Sequence, residues 1–222
     1  MKYVSIDLET TCIDPKCPEN ILQIAMVAED TSDTRAVEDL PSYKAIIVPE
    51  TSLITGSLTA LVMNTWIMIA IEMHKKSTRS QSMLKAIQET EGYFLSLGVP
   101  KEIVTRANFA YLHNRMIGLQ SMIKEANDWL DDEFGKNSTS IVVAGKNVAG
   151  FDMMFLPKEL KRRFAHRTID PGSVFIDWSK KTPPSSTDLA ARFKSEVVSH
   201  DAYGDALSVI EWLRHSYPKT EI

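Results

Sequence analysis

Apolar residues along this chain recur at two different spacings, and the change from one to the other divides the sequence into strands and helices. Three β-rich runs come first, at residues 3–8, 21–28 and 43–48, and Pro49 stops the last of them. Runs of strand length joined by short connections predict three antiparallel strands.

From residue 82 onward the apolar positions mostly have helical spacing. Met83, Ile87, Phe94 and Leu97 recur at three- and four-residue intervals and predict a helix over 82–97. The other predicted elements are a helix at 116–134, a strand at 140–144, a helix at 151–164, a strand at 173–177, a short helix after the loop 183–187 and a last helix at 201–215. This order predicts one α/β domain over residues 1–222, with a mixed five-stranded sheet flanked by helices.

Residues 51–71 carry no formal charge, but they do not have the composition of a membrane span. A spanning helix is predominantly apolar over about 20 residues, and serine, threonine and asparagine interrupt this segment. It is therefore predicted to be a loop and a buried helix. The apolar run before Asp7 is too short for a signal peptide, so the cytoplasm is the predicted location and no membrane contact is expected.

The net charge of −4 argues against a protein that coats nucleic acid through a broad basic surface. A cleft that holds a few nucleotides is still compatible, because bound cations can supply local positive charge. The cysteines, Cys12 and Cys17, are too few for a disulfide framework and are predicted to be reduced thiols, with a local disulfide as the alternative.

Three acidic segments carry the candidate chemistry. Asp7 and Glu9 are two residues apart in a predicted strand, so their side chains point the same way, and a divalent cation would relieve their repulsion. Asp152 begins a predicted helix after a buried strand. His200 and Asp205 lie at the start of the last helix. Each segment alone also suits a solvated strand face, a helix cap or a surface histidine.

Together, and in this order, the three segments resemble the motifs of the DEDDh exonucleases, a branch of the ribonuclease-H-like nucleases. The motifs are Ile6-Asp7-Leu8-Glu9-Thr10-Thr11, Gly145-Lys146-Asn147 to Phe151-Asp152, and His200, Ala202 and Asp205 in a His-x-Ala-x-x-Asp pattern. The likeness covers nearly the whole chain. Residues 166–172 and 56–64 further resemble a phage or bacterial branch related to oligoribonuclease.

The resemblance implies a ribonuclease-H-like fold and two-metal hydrolysis of phosphodiesters from a 3′ end. Asp7, Glu9, Asp152 and Asp205 would hold two Mg²⁺ or Mn²⁺ ions, which carboxylates suit. His200 would be the general base. Leu8 would pack against the terminal base, and the backbone near Thr10 and Thr11 would meet the 3′ end.

The expected substrate is single-stranded nucleic acid, either DNA or short RNA, released as nucleoside 5′-monophosphates. The alternatives are a proofreading DNA exonuclease working with a polymerase or replication partner, and a non-catalytic nucleic-acid-binding module. A Rossmann-type enzyme is disfavoured, because no G-x-G-x-x-G turn follows the first strand. A homodimer is compatible with the sequence.

Two further groups of residues have a functional and a structural interpretation. A basic run suits either phosphate contact or the outer face of a helix, and it comprises Lys158, Lys161, Arg162, Arg163 and Arg167. The tryptophans could stack nucleobases, but they lie in apolar patterns and each is predicted to be a core residue: Trp66, Trp129, Trp178 and Trp212.

Overall fold

The structure, a computed structural model, describes residues 1–12, 21–50, 54–80, 82–195 and 200–218. Its strands are β1 (Lys2–Thr10), β2 (Ile21–Asp30), β3 (Ser42–Ile47), β4 (Arg115–Ile117), β5 (Ile141–Ala144) and β6 (Phe164–Ile169). Its helices are α1 (Leu58–Met63), α2 (Thr65–Ser80), α3 (Met83–Ser96), α4 (Lys101–His113), α5 (Leu119–Phe134), α6 (Asp152–Phe155), α7 (Lys158–Lys161), α8 (Pro171–Val174), α9 (Ser186–Phe193) and α10 (Ala202–Arg214).

The strands form a six-stranded sheet in the order β4-β3-β2-β1-β5-β6. β2 runs antiparallel to both β1 and β3, whereas the β1–β5, β5–β6 and β3–β4 pairs are parallel. The predicted α/β class, with a mixed sheet that begins with three antiparallel strands and is flanked by helices, is confirmed. The sheet has six strands and not the predicted five, because β4 and β6 form its two edges and the strand predicted at 173–177 is absent.

The central strand β1 decides what lies on each face of the sheet, because its side chains alternate between the two faces. Its apolar even-numbered residues share a hydrophobic core with α5. Its odd-numbered residues face α10: Tyr3 lies in the core with that helix, and Ser5 Oγ donates to the Ala206 carbonyl at 2.8 Å. Asp7 and Glu9 continue the α10 face towards the carboxyl end of the strand.

Helices α2, α3 and α4 form a helical insertion between β3 and β4. Their apolar sides share a core with Leu22 and Ile46 of the sheet. The buried helix predicted within residues 51–71 is present, because α2 buries its apolar residues from Trp66 onward. No helix in the described part of the chain is long and apolar enough to cross a membrane.

Most predicted elements agree with the structure, including the strand at 140–144 and the helices at 82–97 and 201–215. α4 escaped prediction because two of its three buried positions, Ala107 and Ala110, are alanines and add little to an apolar pattern; the third is Val104.

Three predicted elements are wrong in extent or type. The helix predicted over 151–164 is two four-residue helices, α6 and α7, because Pro157 cannot continue a helix through its missing N–H. The strand predicted at 173–177 is absent; Asp170 instead caps α8 by accepting from the Gly172 and Ser173 N–H groups. The helix predicted from 116 begins at Leu119, because residues 115–117 pair with β3.

Candidate metal-binding active site

Three carboxylates meet at the carboxyl end of β1. Asp7 and Glu9 come from that strand, and Asp205 comes from the first turn of α10, which packs on the same face of the sheet. One oxygen from each lies within 4.8 Å of the others. Glu9 and Asp205 are buried, and Asp7 is partly exposed. Strand alternation therefore places the first two side chains opposite the third.

Asp152 lies at the same cleft but is held differently. It is the first residue of α6, it is buried, and its Oδ1 accepts from the Leu8 N–H at 2.9 Å. It is not among the three carboxylates within 4.8 Å of one another. The structure thus brings three of the four predicted carboxylates tightly together and places the fourth beside the backbone that joins Asp7 to Glu9.

The carboxylates line a cleft with a volume of about 320 Å³. Leu8 and Thr10, two of the predicted substrate contacts, line it as well. Thr11 is buried and is not among the lining residues; its carbonyl accepts from the Ser57 N–H at 2.9 Å. The chain just before α1 passes so close to Thr11 that a Cβ on Gly56 would lie 2.0 Å from the Thr11 carbonyl oxygen. Only glycine permits this approach.

His200 lines the cleft at the end of the segment that precedes α10. Its backbone is left-handed, with φ of 49°, a conformation that costs about 1 kcal/mol or more in a residue with a Cβ. Arg106 Nη2 donates to the His200 carbonyl at 2.7 Å, and the Arg106 guanidinium carbon lies 4.0 Å from the centroid of the Trp66 ring. The helical insertion therefore helps to hold this backbone in place.

Gln23 hydrogen-bonds the two residues that follow His200. It is fully buried in β2, its Nε2 donates to Asp201 Oδ1 at 2.9 Å, and its Oε1 accepts from the Ala202 N–H at 3.1 Å. Asp201 also caps α10 by accepting from the Gly204 N–H. These bonds fix the start of α10, and with it the position of Asp205.

Lys146 is the cation nearest to the carboxylates, a role that the sequence did not assign to it. Its Nζ lies 3.2 Å from Asp205 Oδ1 and 5.1 Å from the centroid of the Trp212 ring. The preceding residue lies against β1, where a Cβ on Gly145 would be 2.8 Å from the Ile6 carbonyl oxygen. The feature of the sequence that could have identified Lys146 was its position in Gly145-Lys146-Asn147, just after β5 ends.

Asn64 is a second residue that sequence reasoning missed. It is buried at the C-terminal end of α1, and its Nδ2 donates to the Thr10 carbonyl at 3.1 Å. Its side chain also lines the cleft. It therefore ties the junction between α1 and α2 to the end of the strand that carries Asp7 and Glu9.

Burial raises the pKa values of three carboxyl groups in this cleft, those of Asp7, Glu9 and Asp152. The pKa of Asp7 lies well above its ordinary value, chiefly because it is desolvated and further because Asp152, Asp205 and Glu9 repel its negative charge, while Lys146 opposes the shift. Burial likewise raises the pKa of Glu9 to about 7 and that of Asp152 to about 7. Lys146 therefore balances only part of the negative charge in the cleft, and a bound cation would balance the rest.

These shifts predict how the stability of the protein without divalent ions depends on pH. Carboxyl groups with a raised pKa bind protons more tightly in the folded state, so the free energy of unfolding falls as pH rises from about 4 to about 7. For Glu9 the shift from 4.5 to about 7 corresponds to a loss on the order of 3 kcal/mol. We expect Tm in EDTA to fall by roughly 5–10 °C between about pH 5 and pH 8.

Thermal unfolding with and without Mg²⁺ checks this expectation. Mg²⁺ should raise Tm more at about pH 8 than at about pH 5, because protonated carboxyls bind cations poorly. A Tm in EDTA that is constant or rises over this range would contradict it.

Outside the cleft, the structure decides between the functional and the structural interpretation for Arg163 and for the tryptophans. Arg163 is buried, and its Nη2 lies 2.7 Å from Asp131 Oδ1, so it is a structural ion pair and not a phosphate contact. Trp66 and Trp212 are buried and Trp129 is partly buried, as predicted. The prediction is wrong for Trp178, which is 87% exposed because it lies on a loop between α8 and α9.

No protein-family model matches this chain, and neither does any of the curated proteins compared with it. Among solved structures, the chain is similar to the RNase domain of the yeast Pop2 protein, with 11% sequence identity and a TM-score of 0.48 over 96% of this chain and 76% of that one. A likeness of this degree carries no argument about chemistry, and the function proposed below rests on the carboxylate cluster.

The alternative of a local disulfide between Cys12 and Cys17 involves Cys17, which lies outside the described part of the chain.

Proposed function

We propose that this protein is a metal-dependent 3′→5′ exonuclease that hydrolyses single-stranded DNA or short RNA to nucleoside 5′-monophosphates. The observation that supports this most is the convergence of Asp7, Glu9 and Asp205 within 4.8 Å of one another in an open cleft. These residues belong to the motifs that resemble the DEDDh exonucleases, and the resemblance supplies the 3′→5′ polarity.

The donor groups of the cleft fit divalent magnesium or manganese. They are carboxylate oxygens, which these hard cations prefer, and among the lining residues that the structure describes only Cys12 is a thiol. Asp7, Glu9 and Asp205 would hold the ions, with Asp152 completing the set. Two such ions, when bound, lower the pKa of an attacking water and stabilise charge on the leaving oxygen.

The remaining roles fall to side chains of this chain. His200 accepts a proton from the attacking water at an imidazole nitrogen, and its backbone is held by Arg106. Leu8 packs against the terminal base, and Thr10 lies beside the 3′ end. Lys146, whose ammonium nitrogen lies 3.2 Å from Asp205 Oδ1, would contact the scissile phosphate.

A proofreading exonuclease that works beside a polymerase is the second candidate, because the same catalytic groups would serve it. A non-catalytic binding module is disfavoured, since such a module would have no need to keep buried carboxylates with raised pKa values together. A cytoplasmic location, a homodimer and a polymerase partner remain predictions from the sequence.

The test is digestion of oligonucleotides labelled at either the 3′ or the 5′ end, with Mg²⁺, Mn²⁺ or EDTA. We expect a ladder from the 5′-labelled strand and immediate release of labelled mononucleotide from the 3′-labelled strand, with no products in EDTA. DNA and RNA strands of several lengths, single-stranded and with a mismatched primer end, separate trimming from proofreading. Absence of metal-dependent products on all of them would refute the proposal.

A further inference from the structure

A second pocket adjoins the catalytic cleft and shares two lining residues with it, Lys146 and Asn147. Its volume is about 380 Å³, within the range of roughly 300–1,000 Å³ that is usual for small-ligand sites. The other lining residues are Asp170, Pro171, Gly172, Ser173, Pro183, Pro184, Ser185, Ser186 and Leu189. The two pockets are therefore adjacent, with Lys146 and Asn147 at their boundary.

The carboxylate that lines the second pocket does not oppose an anionic ligand strongly. Asp170 Oδ2 accepts from the Asn147 N–H at 2.6 Å, and its Oδ1 accepts from the Gly172 and Ser173 N–H groups. Three backbone donors thus satisfy its charge, and at the boundary with the cleft Lys146 places a positive charge that it shares with Asp205.

Trp178 lies on the loop that leads from α8 to the wall of this pocket at Pro183. Its 87% exposure is the largest among the exposed large apolar residues of the described chain. The turn beneath it is ordered: the Lys180 N–H donates to the Asp177 carbonyl at 2.9 Å, and Ser179 donates from both its N–H and its Oγ to Asp177 Oδ1. The loop therefore presents a large aromatic surface to solvent on a fixed turn.

The loop is also anchored to α9. The Phe175 ring packs against the Phe193 ring with centroids 4.9 Å apart, and Arg192 Nη1 donates to the Phe175 carbonyl at 3.4 Å. The residues after the turn, Lys180 and Lys181, are both exposed. An indole followed two and three residues later by lysines offers a stacking surface and phosphate contacts on one loop, which is the combination that binds single-stranded nucleic acid without sequence preference.

We propose that Trp178, with Lys180 and Lys181, binds the single strand upstream of the terminal nucleotide, and that the strand reaches the cleft through the second pocket. This inference rests on the proposed function and adds to it a substrate path. The occupant is single-stranded nucleic acid because the loop that carries the aromatic surface and the lysines leads into the pocket wall at Pro183, and that pocket shares Lys146 and Asn147 with the cleft in which the 3′ end would be cut.

The test compares Trp178→Ala with the wild-type protein on a dinucleotide and on a twelve-residue oligothymidylate in Mg²⁺. Stacking on one base is worth about a 5- to 100-fold change in binding, so kcat/KM on the long strand should fall by about that factor, mainly through KM. On the proposed path a dinucleotide ends before Trp178, so its kcat/KM should stay unchanged. Trp178→Phe should restore most of the loss, because it keeps an aromatic face.

Phe109→Ala is the matched control, because Phe109 is also an exposed aromatic residue, 62% accessible, on α4 of the helical insertion. It should behave as wild type on both substrates. Equal kcat/KM of Trp178→Ala and wild type on the long strand, or an equal loss on both lengths, would overturn the inference.

A binding measurement separates failure of this inference from failure of the proposed function. Fluorescence anisotropy of a labelled oligothymidylate in EDTA at low salt reports strand binding without hydrolysis, and Trp178→Ala should raise Kd by a factor similar to that seen in KM. Weakened binding in a protein that cleaves nothing would refute the exonuclease and keep the strand path. Unchanged binding together with full cleavage would refute the strand path and keep the exonuclease.

Discussion

Asp7→Asn is expected to abolish hydrolysis, with a loss of about 10³-fold or more, and at the same time to raise the Tm of the protein in EDTA. Activity falls because a ligand is lost and because a misplaced cation forfeits several kcal/mol of charge stabilisation. Stability rises because Asp7 has a pKa well above its ordinary value in the desolvated company of Asp152, Asp205 and Glu9. A neutral amide removes that repulsion.

The opposite signs of these two effects make the prediction sharp. A variant that is inactive because it is misfolded would have a lower Tm, whereas loss of a ligand gives a higher one in EDTA and a smaller response to Mg²⁺. Asp128→Asn is the control, because Asp128 is an exposed acid on α5 and should leave both quantities unchanged. Activity of Asp7→Asn within about tenfold of wild type in saturating Mg²⁺ would exclude Asp7 as a ligand.

His200→Ala is expected to reduce kcat by about 10²- to 10⁴-fold, the usual contribution of a general base. KM and the Mg²⁺ dependence of Tm should change little, because His200 is not one of the clustered residues that would hold the ions. Its left-handed backbone, fixed through the Arg106 bond to its carbonyl, predicts no large loss of stability on truncation of the ring.

Kinetics of 5′-labelled strands and thermal shifts in Mg²⁺ measure these quantities. His166→Ala provides the comparison, because His166 is an exposed histidine on β6, and this variant should retain wild-type kcat. Wild-type turnover by His200→Ala in a metal-replete assay would remove His200 from the mechanism. An equal loss of the Mg²⁺-dependent Tm shift would make it a metal-binding residue instead.

Much of the carboxylate cluster followed from local patterns. Alternation along a strand requires Asp7 and Glu9 to share a face, and the helical pattern of 201–215 places Asp205 in a first turn. The same reasoning identified the antiparallel start of the sheet and the buried strand at 140–144. In each case residues close together in the chain fix the geometry, so one sequence is sufficient.

The tertiary structure decided which of these surfaces meet and which residues join them. Arg106 reaches the His200 carbonyl from a helix 94 residues earlier, and Lys146 pairs with an acid on α10, contacts that no local period encodes. β6 could not be recognised because an edge strand with exposed His166 and Arg167 lacks an apolar pattern. Likewise, neighbouring residues could not show that Trp178 is exposed and Arg163 buried, because burial depends on what packs against a side chain from elsewhere in the fold. The sequence by itself determined which carboxylates are candidates and which face each occupies. Only packing between distant elements determined that Lys146 pairs with Asp205, that Arg106 holds the His200 backbone and that Trp178 is exposed.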